Sequence, residues 1–185
     1  MEGGAAAQTA TYGTLRMRVA IRTAAMEDAS ALPQIEISAG RSFLAIADLA
    51  CLESEEVPIE THQRYISLGT EWVAVNEDQD LVGFLAAEVF TQDLHLWELA
   101  VREDVQKRGV GRRLLDAAET YARDRHLESL TLTTFAHVPW NAPWYSRLGF
   151  QACCDDERLA ALVRAETARG WPQRCAMRKR RIRNL

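Results

Sequence analysis

Two glycines and several cations stand where an apolar stretch of the sequence gives way to a helical pattern. Within the segment VREDVQKRGVGRRLL, residues 101–115, these are Gly109, Gly111, Lys107, Arg108 and Arg112. At a strand-to-helix junction the first amide N–H groups of the helix lack partners, so a phosphate can accept hydrogen bonds from several of them. Glycine lets a backbone approach an anion and adopt the positive φ angles of such loops. The segment therefore predicts a site for a phosphate-bearing cofactor.

Two common phosphate-binding patterns do not match this segment. A Walker A loop requires glycine, four residues and then Gly-Lys-Ser/Thr, and the dinucleotide-binding fingerprint requires three glycines early in a βαβ unit. Neither arrangement is present between residues 101 and 115. An isolated pair of glycines can also form a plain tight turn, so the prediction of an anion site depends on the elements around the pair.

A strand precedes the glycines and a long helix follows them. Residues 95–101, HLWELAV, read as a strand. Side chains alternate along a strand, which places Leu96, Glu98 and Ala100 on one face and the remaining apolar residues, Trp97, Leu99 and Val101, on the other. After Gly109 apolar residues recur every three or four positions, which predicts an amphipathic helix. Glu98 is thus a carboxylate that interrupts an apolar strand face.

The rest of the chain predicts further strands and helices in mixed order. Strands are expected over residues 17–22, 72–75, 81–90, 130–135, 149–153 and 174–178, and further helices over 23–37, 61–68 and 156–169, with Asp28 as a candidate cap. The acidic stretch 44–60 is ambiguous. An α/β sheet with helices packed on it accounts for this order.

The composition limits the function classes. The chain has 185 residues, of which 48% are hydrophobic and 26% charged, as in one ordinary globular domain without a membrane span. A formal net charge of -4 argues against bulk nucleic-acid binding. The cysteines, Cys51, Cys153, Cys154 and Cys175, show neither CxxC spacing nor nearby paired histidines, so no metal or disulfide is expected. The N-terminal segment MEGGAAAQTATYGTL, residues 1–15, lacks the features of a secretion signal, which favours a cytoplasmic location.

Two motifs together resemble a known family. Gln106, Gly109 and Gly111 are similar to the Q/R-x-x-G-x-G/A motif of the GNAT superfamily of acyl-CoA N-acyltransferases. NAPWYSRLGF, residues 141–150, resembles the closing segment of that family, in which a tyrosine precedes Gly-Phe by four residues. The resemblance implies the GNAT fold, a mixed and mostly antiparallel sheet of about seven strands, flanked by helices and splayed between the fourth and fifth strands.

The resemblance also implies a domain organisation and a cofactor site. One GNAT domain would span residues 17–180, between a flexible extension (1–16) and a basic tail (181–185). The backbone of residues 106–111, including Val110, would bind the pyrophosphate of acetyl-CoA, with Lys107, Arg108 and Arg112 adding positive charge. The backbone of the preceding strand would pair with the pantetheine arm at Leu99, Ala100 and Val101. No metal is implied.

The closing segment departs from the family pattern at one position. The commonest pattern places an asparagine seven residues before the tyrosine, where this chain has Val138. Asn141 lies four residues before Tyr145, and residues four apart on a helix share a face. Asn141 is therefore a candidate contact to the pantetheine from a different turn, with Pro139 and Pro143 making the helix start irregular.

Acyl transfer to an amine requires a neutral nitrogen. A lysine-like ammonium with a pKa of about 10.4 is neutral in about one molecule in 2,500 at pH 7, a deficit of roughly 4.6 kcal/mol. Glu98 is the candidate general base, because an apolar strand face would desolvate it and raise its pKa. A structural pair between Glu98 and an arginine is the alternative. Tyr145 resembles the family tyrosine that protonates the departing thiolate, and a core aromatic is its alternative.

These residues favour one function and leave others open. The first is transfer of acetyl from acetyl-CoA to a primary amine, on a small molecule or a peptide, by direct attack without an acyl-enzyme. A non-catalytic CoA-binding sensor is the second, and acylation of a charged tRNA or a protein N-terminus, using the basic tail, is the third. The acceptor and the oligomeric state are open, although a homodimer is common among similar proteins.

Overall fold

The computed structural model describes residues 18–54 and 56–180. The predicted N-terminal extension (1–16), the predicted start of the first strand at Met17 and the basic tail (181–185) lie outside the described residues. The strands are β1 (Val19–Thr23), β2 (Glu71–Asn76), β3 (Leu81–Phe90), β4 (Asp93–Val101), β5 (Ser129–Phe135), β6 (Gln151–Ala152) and β7 (Arg174–Arg180). The α-helices are α1 (Leu32–Gly40), α2 (Ile59–Ser67), α3 (Val110–Asp124), α4 (Ala142–Arg147) and α5 (Glu157–Ala168).

The seven strands of the described chain form one sheet in the order β1-β2-β3-β4-β5-β7-β6. Neighbouring strands are antiparallel except β4 and β5, which run parallel. Parallel neighbours require a crossover, and here the crossover contains α3. The predicted mixed, mostly antiparallel α/β sheet is confirmed.

Helices cover both faces of the sheet. The apolar stripe of α3, which includes Leu114 and Leu115, packs on one face against Leu94 and Leu96. On the other face, α1 and α2 pack against a cluster that includes Phe84 and Ala100. Each fully buried leucine contributes about 1.5–3 kcal/mol through removal of apolar surface from water. Among the described residues, no helix is both long and apolar enough to cross a membrane.

β4 and β5 pair only along their first halves. The parallel register runs from Asp93 opposite Ser129 to Leu96 opposite Leu132 and stops there. Beyond that point β4 keeps its pairing with β3, and β5 keeps its pairing with β7. A gap therefore opens between residues 97–101 and 133–135, as the predicted splay requires.

A β-bulge at Trp97 lies where the gap begins. Ala86 pairs with Glu98 and Ala87 pairs with Leu96, so Trp97 is an extra residue on β4. The predicted uninterrupted alternation is wrong for this reason. Leu96 packs in the same cluster as Leu99 and Val101, and Trp97 packs in the cluster of Ala100.

The chain between β1 and β2 also differs from the prediction. The predicted helix 23–37 is a 3₁₀ helix (Met26–Ala31) followed by α1, because Pro33 in the first turn favours a new helix start. Asp28 accepts a hydrogen bond from the amide of Ala25 (2.7 Å) and pairs with Arg22 (2.6 Å). The ambiguous acidic stretch contains a further 3₁₀ helix, Ala47–Ser54.

Candidate active site

The N-terminus of α3 presents a row of backbone N–H groups without backbone partners. Within the described residues, the N–H groups of residues 107–112, here called the amide row, find no backbone acceptor. Gly109 caps the helix at φ 84°, and Lys107 adopts φ 59°. Consecutive unpaired N–H groups at a helix N-terminus favour an anion. The local backbone thus has the form that the sequence predicted.

Gly111 corrects one part of that prediction. It is the second residue of α3 and has no positive φ, so only Gly109 needs glycine for its backbone conformation. A Cβ on Gly111 would stand 3.8 Å from side-chain atoms of Trp144 and Val101, which is ordinary contact. Its absence leaves this part of the amide row uncovered.

The cations near the amide row are not equivalent. Lys107 and Arg108 are exposed beside it. Arg112 forms an ion pair with Asp116 one turn along α3, at 2.7 Å. The side chain of Gln106 donates to the carbonyl of Val101 at 3.0 Å, which ties the loop to the end of β4. Val110 is buried and anchors the first turn of α3 to the core.

Alternate residues at the end of β4 direct their backbone groups into the gap. The amide of Arg102 donates to Val82 on β3 at 2.9 Å, so Ala100, two residues earlier, also directs its backbone toward β3. Leu99 and Val101 therefore direct their backbone groups away from β3, toward the gap. The carbonyl of Val101 is the acceptor for Gln106.

Glu98 follows the bulge and is half-buried at the same gap. Burial raises the pKa of its carboxyl, and the charges of Arg174 and His62 and the amide of Leu99 oppose that rise without cancelling it. Within the described residues Glu98 forms no ion pair, and Arg174, whose charge acts on Glu98, pairs with Glu166 at 2.8 Å. A carboxylate with a raised pKa can accept a proton near neutral pH.

Tyr145 lies on α4, and the charges of Glu98 and Arg174 act on its hydroxyl. Its ring packs against Trp144 and Phe150, with centroid separations of 4.8 and 5.4 Å. Burial raises the pKa of its hydroxyl, the charge of Glu98 raises it further, and the charge of Arg174 lowers it. The hydroxyl therefore keeps its proton at neutral pH.

Asn141 stands immediately before α4. Its side-chain nitrogen donates to the hydroxyl of Thr134 on β5 at 2.9 Å, and its carbonyl accepts from the amide of Tyr145 at 3.0 Å. Val138, which occupies the usual asparagine position, is fully buried against Leu49 and Phe135. The departure from the family motif thus replaces a polar position with a core contact.

Comparison with known proteins identifies the family. A family model described as the acetyltransferase (GNAT) family matches residues 42–150. The chain belongs to the GNAT family. The matched region contains both motifs and the described gap between β4 and β5, so the resemblance that the motifs predicted is confirmed.

Solved GNAT structures share this fold. PaiA N-acetyltransferase from Thermoplasma acidophilum, in complex with coenzyme A, matches with a TM-score of 0.69 and 17% identity over 89% of this chain and 100% of that chain. Ribosomal-protein-S18-alanine N-acetyltransferase from Escherichia coli matches with a TM-score of 0.63 and 20% identity, over 91% and 99%. Nourseothricin acetyltransferase matches with a TM-score of 0.50 and 29% identity, over 60% and 64%.

Sequence reasoning missed Glu36, a second carboxylate of this GNAT domain. One carboxylate oxygen of Glu36, on α1, accepts from the amide of Val57 at 2.8 Å. Burial raises its pKa to about 8, and the charges of Glu98 and then Glu56 add to the rise. A signal was present in the sequence, because Glu36 follows Leu32 by four residues and therefore lies on the same helix face.

Sequence reasoning also missed Arg174, at the start of β7. Its guanidinium pairs with Glu166 at 2.8 Å, donates to Thr133 at 3.1 Å and stacks on Phe135, and its side chain is only 7% exposed. Its charge acts on both Glu98 and Tyr145. No local pattern marks it, since it lies 76 positions beyond Glu98 in the numbering of the chain.

Glu36, Glu98, Tyr145 and Arg174 are here called the charged cluster. They come from α1, β4, α4 and β7. The charge of Glu98 acts on Glu36 and Tyr145, and the charge of Arg174 acts on Glu98 and Tyr145. Within the described residues, no group of three or more histidine, cysteine or acidic side chains is arranged to hold a metal ion. The arrangement suits movement of protons between an acceptor and a leaving group.

Proposed function

We propose that this protein transfers an acetyl group from acetyl-CoA to a primary amine, by direct attack in a ternary complex without an acyl-enzyme. The observation that carries the proposal is the gap between β4 and β5, which Glu98 borders, with the amide row at the N-terminus of α3 beyond the end of β4. The raised pKa of Glu98 suits it to accept a proton, and Tyr145 is protonated at neutral pH, so it has a proton to give once a thiolate forms. Membership of the GNAT family supports the same assignment.

The residues around the amide row fit an acyl-CoA. N–H groups of residues 107–112 without backbone acceptors, with exposed Lys107 and Arg108 beside them, suit a diphosphate. The backbone groups of Leu99 and Val101 would hold the pantetheine arm. Asn141 would contact the arm through its side-chain oxygen, since the bond to Thr134 uses the nitrogen. Acetyl-CoA bound there supplies an acyl group activated as a thioester.

The charged cluster would handle the protons of the reaction. Glu98 takes a proton from the acceptor nitrogen, and its raised pKa brings it closer to the pKa of that nitrogen. The nitrogen forms the new amide bond as the bond from carbonyl carbon to sulfur breaks. Tyr145 gives its proton to the departing thiolate and regains one, through solvent, from the second proton that the nitrogen loses, while Glu98 releases the proton that it accepted to solvent. The products are an amide and a free thiol.

Thiol release in the presence of acetyl-CoA and a panel of amines tests the proposal. We expect CoA binding by calorimetry and release that depends on the amine, with the acetylated product seen by mass spectrometry. A blank without amine is required, because Cys153, Cys154 and Cys175 are free thiols. CoA binding without release on any amine would identify a non-catalytic CoA-binding module, and no CoA binding would contradict the acyl-CoA site as well.

A further inference from the structure

Two cysteines stand opposite each other where the edge strand β6 ends against β7. β6 pairs antiparallel with β7. Immediately after β6, the amide of Cys153 donates to the carbonyl of Ala176 at 3.0 Å, which continues the same register. The next pair in that register is Cys154 with Cys175. Because α5 separates the two cysteines along the chain, no local spacing in the sequence signals the pair.

The position of this pair brings the two side chains close together. Directly opposite residues of antiparallel strands alternate between hydrogen-bonded and non-hydrogen-bonded pairs. Cys153 and Ala176 are a hydrogen-bonded pair, so Cys154 and Cys175 are a non-hydrogen-bonded pair. In such a pair the Cα atoms lie about 4.5 Å apart and the side chains point to the same face of the sheet. Because a disulfide spans Cα atoms about 4.4–6.8 Å apart, the register already supplies a separation that a disulfide can bridge.

The two thiols differ in their access to solvent. Cys154 is exposed, whereas Cys175 is partly buried and packs against the core cluster on the α3 side of the sheet. Burial raises the pKa of the Cys175 thiol, the charge of Arg174 opposes that rise, and Cys154 adds to it. The effect of Cys154 on Cys175 agrees with the short separation that the register sets. A small oxidant would therefore meet Cys154 first, with Cys175 behind it.

The neighbouring Cys153 does not compete for this pairing. Successive side chains of an extended segment point to opposite faces, so Cys153 points away from Cys154. Cys153 is buried against Leu159 of α5, and its thiol donates to a carboxylate oxygen of Asp155 at 3.2 Å. Among the three cysteines whose positions the structure describes, only Cys154 and Cys175 thus share both a sheet face and a register position.

We propose that Cys154 and Cys175 are an oxidation site, which a peroxide converts to a disulfide between β7 and the chain after β6. The Cys154 thiolate attacks one peroxide oxygen, the O–O bond breaks, and a sulfenic acid and hydroxide form. The Cys175 thiolate then attacks the Cys154 sulfur, forms the S–S bond and expels a second hydroxide. The protons released by the two thiols convert both hydroxides to water. Two thiols thereby give two electrons to the peroxide, and a small thiol reverses the reaction by exchange.

The disulfide would act on the side of the sheet next to the gap. β6 is two residues long and lies at the edge of the sheet, so its pairing with β7 is short. Cys175 stands opposite Thr134 of β5, which accepts the hydrogen bond from Asn141. A crosslink at Cys175 would hold the chain after β6 to the strand that supports this wall of the gap. It would also close a loop around α5, and loop closure restricts the unfolded chain.

Peptide mapping of the oxidised protein tests the site. The full chain is reduced, freed of reductant, treated with hydrogen peroxide under native conditions and digested without reductant for mass spectrometry. We expect peptides linked through Cys154 and Cys175, lighter by two hydrogens than the free pair and separated by dithiothreitol. Oxidation should also raise the midpoint of thermal unfolding by about 5 °C, because the crosslink fits the native register.

Matched cysteine variants serve as controls. Cys154→Ser removes an exposed thiol and should abolish both the linked peptides and the rise in midpoint, while its reduced form unfolds as the wild-type protein does. Cys153→Ala should retain the linked peptides. A link through Cys51 or Cys153, a dimer joined between two chains, oxidation of Cys154 that stops at a sulfinic acid, or a midpoint that does not rise overturns the inference. These readouts need neither acyl-CoA nor amine, so their failure leaves the proposed function standing.

Discussion

The amide row and the charged cluster both border the β4–β5 gap and are built differently. The amide row comes from one continuous segment, residues 107–112. It uses backbone N–H groups, which almost any residue type would provide. The charged cluster takes one side chain each from α1, β4, α4 and β7. A site made of local backbone depends on chain conformation, whereas a site made of distant side chains depends on burial and on mutual charge.

The largest effect on turnover is expected when the general base of the charged cluster is removed. Glu98→Gln should lower turnover by about 10² to 10⁴ near neutral pH, because the base is removed while shape is kept. In the wild-type protein the raised pKa of Glu98 means that the base is lost as pH falls through a value above that of an ordinary glutamate. Steady-state rates across pH measure both effects.

The matched control for the base is Glu103→Gln, an exposed acid in the turn after β4. It should retain wild-type turnover. An acidic limb that stays in place in Glu98→Gln would exclude Glu98 as the titrating group.

The second largest effect on turnover is expected for the proposed general acid of the charged cluster, Tyr145. Tyr145→Phe should lower turnover by about 10², at the lower end for general acids, because a thiolate leaves more easily than an amine. CoA affinity from calorimetry should change little, since the amide row is intact. Tyr121→Phe on α3 is the comparison variant, and equal losses in the two variants would assign Tyr145 to packing alone.

The amide row should respond in the opposite way, through binding rather than turnover. Gly109→Ala places a Cβ on a residue at φ 84°, which costs about 1–2 kcal/mol. Part of this cost should appear as weaker CoA binding, by about tenfold, measured by calorimetry. Gly170→Ala has the same strain at φ 93°, with no heavy atom within 4 Å of the added carbon, and lies outside the amide row.

Both glycine variants should lose similar unfolding free energy, and only Gly109→Ala should lose CoA affinity. Equal CoA affinity in the two would mean that the amide row does not bind the diphosphate.

The smallest expected effect tests how far the charged cluster extends. Glu166→Gln keeps a hydrogen-bond acceptor for Thr133 and removes the counter-charge of Arg174. The less compensated guanidinium should lower the pKa of Glu98, so the acidic limb of kcat/KM moves to lower pH. Glu157→Gln, an exposed acid on the same helix that pairs with Arg164, should leave the limb in place. A limb that Glu166→Gln does not move would remove Arg174 from the cluster.

The same contrast explains what the sequence could predict. The α3 helix, the strand before it and the gap follow from spacing and motif, because hydrophobic period and glycine positions act over a few residues. Glu98 and Tyr145 were also accessible, since each lies in or next to a motif. The spacing of Glu36 from Leu32 signals only the helix face on which Glu36 lies, and nothing local marks Arg174, because the contacts of both residues join elements far apart in the chain.

Two local predictions failed for reasons that a single sequence does not reveal. The bulge at Trp97 follows from how β4 meets β3, and nothing in HLWELAV distinguishes it from a regular strand. Gly111 was expected to resemble Gly109, yet one begins the helix and the other already lies inside it. At Trp97 the error is one residue of strand register, which inverts the direction of the side chains that follow, and at Gly111 it is a misplaced helix start.

The extra residue at Trp97 divides β4 into two segments, and the alternation of side chains between the two sheet faces is shifted by one residue in the second segment. Residues before Trp97 pair with β3 on one side and β5 on the other, so both of their edges are occupied by the sheet. Residues after Trp97 bond to β3 alone, and their other edge is available to whatever the protein binds. Backbone groups of the second segment can therefore pair with a bound molecule without the loss of any strand pairing, while its side chains Leu99, Ala100 and Val101 stay packed against the core.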